Sequence, residues 1–510
     1  MFKEKTAVIP VTKDSTGFLS GDFVEVKIKL QKNQVLLYYK VKEEGFKRFL
    51  EWVEKQYKKK KGGTDTTKIS FYQSHSSVKS SSNHITNNNM LPGIENKKTI
   101  VSLGQPATRD GTSLLVISAP TTYTITATEF LSLKNAEDAG ITQAKDLSEN
   151  ALVWEHVKDF YAYPQNEGVE LHVLLVSDAT TFTKLFTTTE SAYQVLQDYL
   201  VAQAGGIRLI AVALNPVFAE DHTTAISLDL QTAIPLAHSF VDVEFGKGRP
   251  CMVMLEGRKF AGTAAAALDL RDLASGNVMV GVSRDATRQA QLVTDGHTGN
   301  RVANYAAIGL LLGKTASLPV GENVGRLAIP PSFTENDALP GVVSTEFSGG
   351  QALGSFTEAD LGALHEKAYC FIYNNMGYPG YYFVNDHTCE VATKSNSRLS
   401  YNRVVNKMAV IARATLLPRV KSSLRVTAEG KLFPSTIEQY KNLCNRAISQ
   451  EMINNPDPLR LQELSSVDTQ IDANQNILAT NTLFVKVSGI PIGSTDVISV
   501  EFSLSNPANA

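Results

Sequence analysis

Between residues 110 and 320 the chain alternates short apolar runs with longer segments whose apolar residues return at helical spacing. The runs Leu114–Ser118, Glu170–Ser177, Arg208–Leu214, Pro250–Leu255 and Asn277–Ser283 lack a regular polar alternate position, which predicts strands buried on both faces. Helices are predicted between them at 148–160, 190–204, 223–240, 262–272 and 299–313. Strand–helix alternation of this kind implies an α/β fold: a mixed, largely parallel sheet with flanking helices. No internal repeat is evident.

The flanks follow other periods. Upstream, Val24, Val26, Ile28 and Leu30 alternate with charged residues, a turn follows at Lys32-Asn33, and Val35, Leu37, Tyr39 and Val41 alternate again. That predicts a hairpin, with a helix from Glu43 to Lys60 laying Phe46, Phe49, Leu50, Trp52 and Val53 on it. From Thr64 to Asn89, 15 of 26 residues are Ser, Thr or Asn. Such a stretch buries too little apolar surface to offset its ordering entropy, so 62–89 is predicted to be a mobile linker.

Downstream, Tyr401, Val404, Val405, Met408, Ile411, Ala412 and Leu416 predict a helix over Ser397–Leu417, closed by Pro418. A second helix is predicted to open at Ser435, with Glu438 completing a capping box and Ile437, Tyr440, Leu443, Ala447 and Ile448 on one face. Strands are predicted at Thr482–Ser488 and Thr495–Leu504, the latter alternating Ile498, Val500, Phe502 and Leu504 with polar residues. The whole divides into a small N-terminal β-hairpin/helix unit (1–61), a linker and arm (62–98), an α/β middle (99–330) and an α+β C-terminal domain (331–510).

With 510 residues, 43% of them hydrophobic, the chain can bury a core large enough for two to four domains. Its 49 basic and 51 acidic residues nearly cancel, which gives no global reason to expect nucleic acid or an anionic membrane as partner. Residues 1–61 depart from this balance, with 15 Lys and Arg against 8 Asp and Glu. The four cysteines, Cys251, Cys370, Cys389 and Cys444, lack metal or redox spacing and read as reduced and buried. No signal-like N-terminus and no run of 18 apolar residues is present, so the expectation is a soluble protein made in the cytoplasm, without direct membrane insertion.

Motifs for chemistry fall short. Gly309-Leu310-Leu311-Leu312-Gly313-Lys314-Thr315 resembles a phosphate-cradling loop with one spacer residue too few, on a segment that reads as helix rather than post-strand loop. Its competing reading is a helix end capped at Gly313. Asp386, His387, Cys389 and Glu390 offer ligands in one short loop without a second pair, and His365-Glu366 lacks the second histidine of a zinc helix. No Gly-x-Ser-x-Gly elbow exists. His156, His172 and His238 lie in apolar patterns and are predicted near the core. No catalytic residue, metal or cofactor is expected; a nucleotide-binding α/β enzyme is the alternative. Arg398, Arg403, Lys407, Arg413, Arg419 and Lys421 make the first C-terminal helix region basic, either as a solvated face or as a contact surface.

The order of C-terminal elements, ending in "ATNTLFVKVSGIPIGSTDVISVEFSLSN", resembles the C-terminal domain of contractile tail sheath proteins of phages and phage-like injection systems. "ASLPVGENVGRL" (316–327) is similar to a loop those proteins carry before that domain, and "TITATEFLSLKNAEDAGI" (124–141) to a segment near their start. The resemblance spans about Met90 to Ala510. It implies a non-enzymatic subunit that polymerises with itself as stacked hexameric rings around an inner tail tube. Its further partners would be baseplate and tail terminator proteins, and it would be assembled in the bacterial cytoplasm into a virion tail or injection particle. It also implies inter-subunit strand contacts, here at Ile100 and Leu103 of an N-terminal arm and at Val485, Val487, Ile498, Val500, Phe502 and Leu504. Tube contact would fall on a C-terminal helix, through Arg403, Lys407 and Arg413 or Lys441 and Arg446.

Overall fold

The computed structural model describes residues 110–214, 216, 221–222, 225–330, 333–454, 462–496 and 498–500, together with strand backbone at 4–6, 27–31, 34–38 and 70–71. It divides into two units, residues 1–100 and 101–510.

In the first unit, β1 (Glu4–Thr6), β2 (Lys27–Gln31), β3 (Gln34–Tyr38) and β4 (Ser70–Phe71) form one sheet in that order. The predicted hairpin is there: β2 and β3 pair antiparallel across residues 32–33, with Ile28 opposite Leu37 and Leu30 opposite Val35. β4 lies within the stretch predicted as linker and pairs parallel with β3, so that stretch contributes a strand. The predicted Glu43–Lys60 helix lies outside the described residues.

The second unit is built on a seven-stranded sheet. Its strands are β5 (Ser113–Ala119), β6 (Glu129–Phe130), β7 (Leu171–Ser177), β8 (Leu209–Ala213), β9 (Met252–Glu256), β10 (Val278–Gly281) and, after a short pair β11 (Ser283–Arg284) and β12 (Glu346–Phe347), β13 (Tyr369–Cys370). The order is β13-β10-β9-β8-β5-β7-β6, parallel throughout except at β6. All five predicted apolar runs are strands of this sheet. Alternate residues feed two separate cores. Leu114, Val116, Ile210, Val212, Val253 and Leu255 face one cluster, whereas Leu115, Ile117, Leu209, Ala211, Met252 and Met254 face the other. Helices Ser191–Ala202 and Leu228–Gly246 cover the first face; Val153–Tyr161 and Ile308–Ser317 cover the second. Strands apolar at every position are what this two-sided burial requires.

Three local predictions are corrected. The Ile308–Ser317 helix runs straight through Gly313 instead of ending there. Gly309 and Gly313 serve close packing: a Cβ at Gly309 would stand 2.4 Å from the His156 carbonyl oxygen, and one at Gly313 2.8 Å from Phe160 Cα. Two bare turns thus let this helix press on Val153–Tyr161. The predicted 262–272 helix is replaced by turns and a short 3-10 segment, Leu270–Leu273. Lys367 Nζ takes up the carbonyls of Ala264, Ala265 and Ala267 at 2.8, 3.2 and 2.7 Å, acceptors a helix would have used internally. The body also continues past residue 330, since β13 joins the sheet and Phe347, Leu364, Tyr369 and Phe371 sit in its core.

C-terminal to this body, the Leu399–Leu416 and Pro434–Ile448 helices pack with an antiparallel pair, β16 (Leu464–Gln470) and β17 (Lys486–Pro491); the hairpin β14 (Ile372–Tyr373) and β15 (Tyr382–Phe383) precedes them. The second helix starts with Pro434 at its first position and has no side-chain cap, so the capping box predicted at Ser435 is not formed. A small core of Val320, Val404, Met408, Ile411, Ile448, Met452 and Leu464 joins the helices to β16.

Candidate assembly interface in the C-terminal region

The Leu399–Leu416 helix is anchored by polar side chains. Asp386 accepts from Ser400 N at 2.9 Å through its carboxylate and from Leu399 N at 2.8 Å through its carbonyl, capping the helix from the preceding loop. Asn402 donates to Gly276 O at 2.8 Å and Asn406 to Cys251 O at 3.2 Å. Lys407 Nζ lies 2.7 Å from Asp110 Oδ2 and 2.7 Å from Glu463 Oε2, and Arg403 donates to Leu318 O at 3.0 Å.

Arg403 and Lys407 are 4% and 2% exposed, which corrects their assignment to a tube-facing surface. They lie on the stripe Leu399–Arg403–Lys407–Ile411, spaced by four and bounded by core residues, so the helix turns them inward. Arg413 remains exposed. Arg446 is exposed on the next helix, and Lys441, one turn nearer its start, pairs with Glu438 at 3.1 Å. Beyond the first helix, Leu417 and Val420 are exposed beside Arg419 and Lys421.

β16 and β17 pair as a two-stranded sheet with Val467 opposite Gly489 and Thr469 opposite Val487; no third strand joins either edge among the described residues. β16 was not predicted, because its "LSSVDTQ" has few apolar positions. Val487 packs against the core that joins the helices, and Val485 against a smaller cluster of Leu432, Ile437, Tyr440 and Ile471, so both side chains turn into the chain's own body. Ile490 points out. After β17 the chain crosses the body, where Arg398 pairs with Asp496 and Asp386 and donates to Ser494 at 3.3 Å. Burial alone would raise the Asp496 carboxyl; the Arg398 guanidinium outweighs it and holds the group below its ordinary value.

Past this latch, the described part of the predicted Thr495–Leu504 strand is irregular, and Ile498 and Val500 stand 79% and 61% exposed. Among the described residues no strand pairs with them. Phe502 and Leu504, like Ile100 and Leu103, lie outside the described residues.

The readings that pointed to chemistry resolve as packing. Lys314 is buried against Asp337 at 2.8 Å, and burial pushes it down to about 8. A cavity of about 280 Å³ beside the carboxyl end of β8 offers Asp221 and Asp229, and Asp229 already accepts from Phe182 N and Thr183 N at the start of a short helix. Two carboxylates there oppose a phosphate. His387 pairs with Arg271 at 3.0 Å and Glu390 with Lys394 at 2.9 Å, while Cys389 is buried as a free thiol. No cluster of potential metal ligands occurs among the described residues. His156 and His172 are buried as predicted, and His238 is partly so. No helix among the described residues is long and apolar enough to cross a membrane.

Residues 91–387 match the family model DUF2586, N-terminal domain, and residues 397–509 match DUF2586, C-terminal domain. The chain belongs to the DUF2586 family. No curated protein matches it. Among solved structures it is similar to a chain of the anti-feeding prophage (AFP) baseplate, with 10% identity over 82% of this chain and 100% of that one, TM-score 0.45. It is also similar to the sheath tail protein of Desulfitobacterium hafniense, with 13% identity over 64% of this chain and 63% of that one, TM-score 0.32. A third is the sheath tail protein of Listeria innocua, with 8% identity over 74% of this chain and 94% of that one, TM-score 0.39.

Proposed function

We propose that this chain is the structural subunit of a contractile sheath, forming stacked hexameric rings around an inner tube in a phage tail or phage-like injection particle. The observation that carries this reading is the β16–β17 pair, whose outer edges no third strand joins among the described residues, followed by Ile498 and Val500, both exposed. An unpaired strand edge is a template for a neighbour's backbone, and an exposed alternating segment is the complementary half. Burying Ile490, Ile498 and Val500 in such a contact would contribute roughly 1.5–3 kcal/mol for each side chain. Contacts of this head-to-tail kind repeat into an open helical cylinder.

The resemblance in 124–141, 316–327 and 479–506 supports the same reading. The α/β body would then move as a near-rigid unit when the sheath contracts, while the strand links hold the lattice together. With Arg403 and Lys407 spent internally, tube contact falls to Arg413, Arg419 and Lys421 at the end of the first C-terminal helix, or to Lys441 and Arg446 on the second. Electrostatic contact suits a bond that must later release. The N-terminal arm with Ile100 and Leu103 would supply the other exchanged strand. Baseplate and terminator proteins would meet the ends of the cylinder, and assembly would take place in the bacterial cytoplasm.

Deletion of Val497–Ala510 tests the strand link. The reading expects a folded chain of unchanged thermal stability that no longer forms tubes. Tubes formed as readily as by the full chain would refute it.

A further inference from the structure

After β17 the chain runs from Ile492 to Asp496 along the rim of a cleft of about 600 Å³, opposite the 321–327 loop and the Glu358–Glu366 helix. At the near end of this strap, Ile492 N donates to Glu463 O at 3.4 Å. At the far end Arg398 donates to Ser494 Oγ at 3.3 Å and pairs with Asp496, to which Asn385 adds a side-chain hydrogen bond. The path of the strap along the cleft is therefore set by its two ends.

Arg398 is fixed before it meets the strap. Its side chain is 15% exposed, backed by Asp386 at 3.7 Å and by the Tyr401 ring at 5.9 Å. Asp386 is itself fully buried and accepts from Ser400 N in the first turn of the Leu399–Leu416 helix. A guanidinium placed in this way loses little rotamer freedom on pairing, and its planar fork sets direction as well as distance. Ile498 and Val500 follow Asp496 by two and four residues, both exposed. Without the hold on Asp496 their tether would begin at Ile492, and residues 493–496 would add about 14 Å of slack when extended.

We propose that Arg398 is a positioning residue for assembly. By holding Ser494 and Asp496 it fixes the point and direction in which the Ile498–Val500 segment leaves the body, so that a neighbour's strand edge meets it at a set distance. This rests on the sheath reading and adds to it the side chain that governs the strand link. A segment on a fixed root searches a small volume, and its effective concentration at the neighbour falls as slack is added.

Asp496→Asn tests this while leaving Arg398 in place beside the buried Asp386. The critical concentration for tube formation should rise about fivefold, the worth of one partly exposed charge pair, with the Tm of the unassembled chain unchanged. Arg398→Lys, which keeps the charge without the fork, should raise it less. In the unassembled chain, spin labels on Ser239→Cys and Ser499→Cys should give a narrow distance distribution that broadens when Asp496→Asn is added. Tubes from Asp496→Asn at the critical concentration of the unaltered chain, or a distance distribution just as narrow, would overturn this proposal and leave the sheath reading standing. A fall in Tm large enough to account for lost assembly would make the contact structural only and overturn it too. An unaltered chain that forms no tubes at any concentration overturns the sheath reading, and this proposal with it.

Discussion

Glycines 309 and 313 show how one missing carbon sets a contact. Each sits where a Cβ would enter the backbone of Val153–Tyr161, so Gly313→Ala should cost roughly 1–3 kcal/mol by overpacking. A lowered urea midpoint with unchanged slope would show it; equal stability would mean the helices can part freely. Lys407 presents the opposite case, a buried charge with two partners. Lys407→Met removes the one cation that bridges Asp110 and Glu463, and a loss of about 3–5 kcal/mol is expected by the same measurement. Two histidines make one contribution to the response to acid, opposed by the Asp146 and Asp159 carboxyls, which burial raises. Burial pushes His156 down to about 4, and burial with the neighbouring His365 and Arg271 pushes His387 to about 3, so the folded chain keeps both neutral. Below about pH 6.5 the unfolded chain takes up protons that the folded one refuses. Their contribution is therefore complete above that pH and is lost as pH drops towards 4, on the order of 3 kcal/mol from His156 alone. Urea unfolding of His156→Gln beside the unaltered chain isolates this: the stability of the unaltered chain relative to the variant should fall by about 2 kcal/mol between pH 7 and 4.5, and a difference independent of pH would contradict it.

At the scale of elements, the buried parallel strands were legible because two-sided burial removes every polar alternate position. The two C-terminal helices were legible because each keeps one apolar face. What escaped had physical causes. The "LSSVDTQ" strand is mostly solvent-facing, so its sequence carries little apolar signal. Ser435 offered a capping box that lost to Pro434, which already supplies the first helical φ. Arg403 and Lys407 looked like surface cations, yet their spacing from Leu399 and Ile411 marked the buried stripe; charge type misled where position was informative. The terminal alternation was read as a strand, and in the chain alone its described part has no ladder to join. Its exposure yields a prediction: Ile498→Asp combined with Val500→Asp should leave the Tm of the unassembled chain unchanged, within about 0.5 kcal/mol as for other exposed sites, while abolishing polymerisation. A large fall in Tm would place these residues in the chain's own core instead.

At the largest scale, the unit of residues 101–510 is one doubly covered sheet carrying a C-terminal subdomain anchored through buried polar contacts, with Ile490, Ile498 and Val500 exposed near that subdomain's end. A closely packed body suits rigid displacement, and exposed apolar side chains such as Ile490, Ile498 and Val500 suit attachment to a neighbour. The proposed lattice has a physical means in the outer edges of β16 and β17, which no third strand joins among the described residues. Electron microscopy of the purified full-length chain, concentrated without any partner, tests this most directly. Long hollow cylinders of stacked six-fold rings are the predicted result; a monodisperse monomer at every concentration examined would contradict the account.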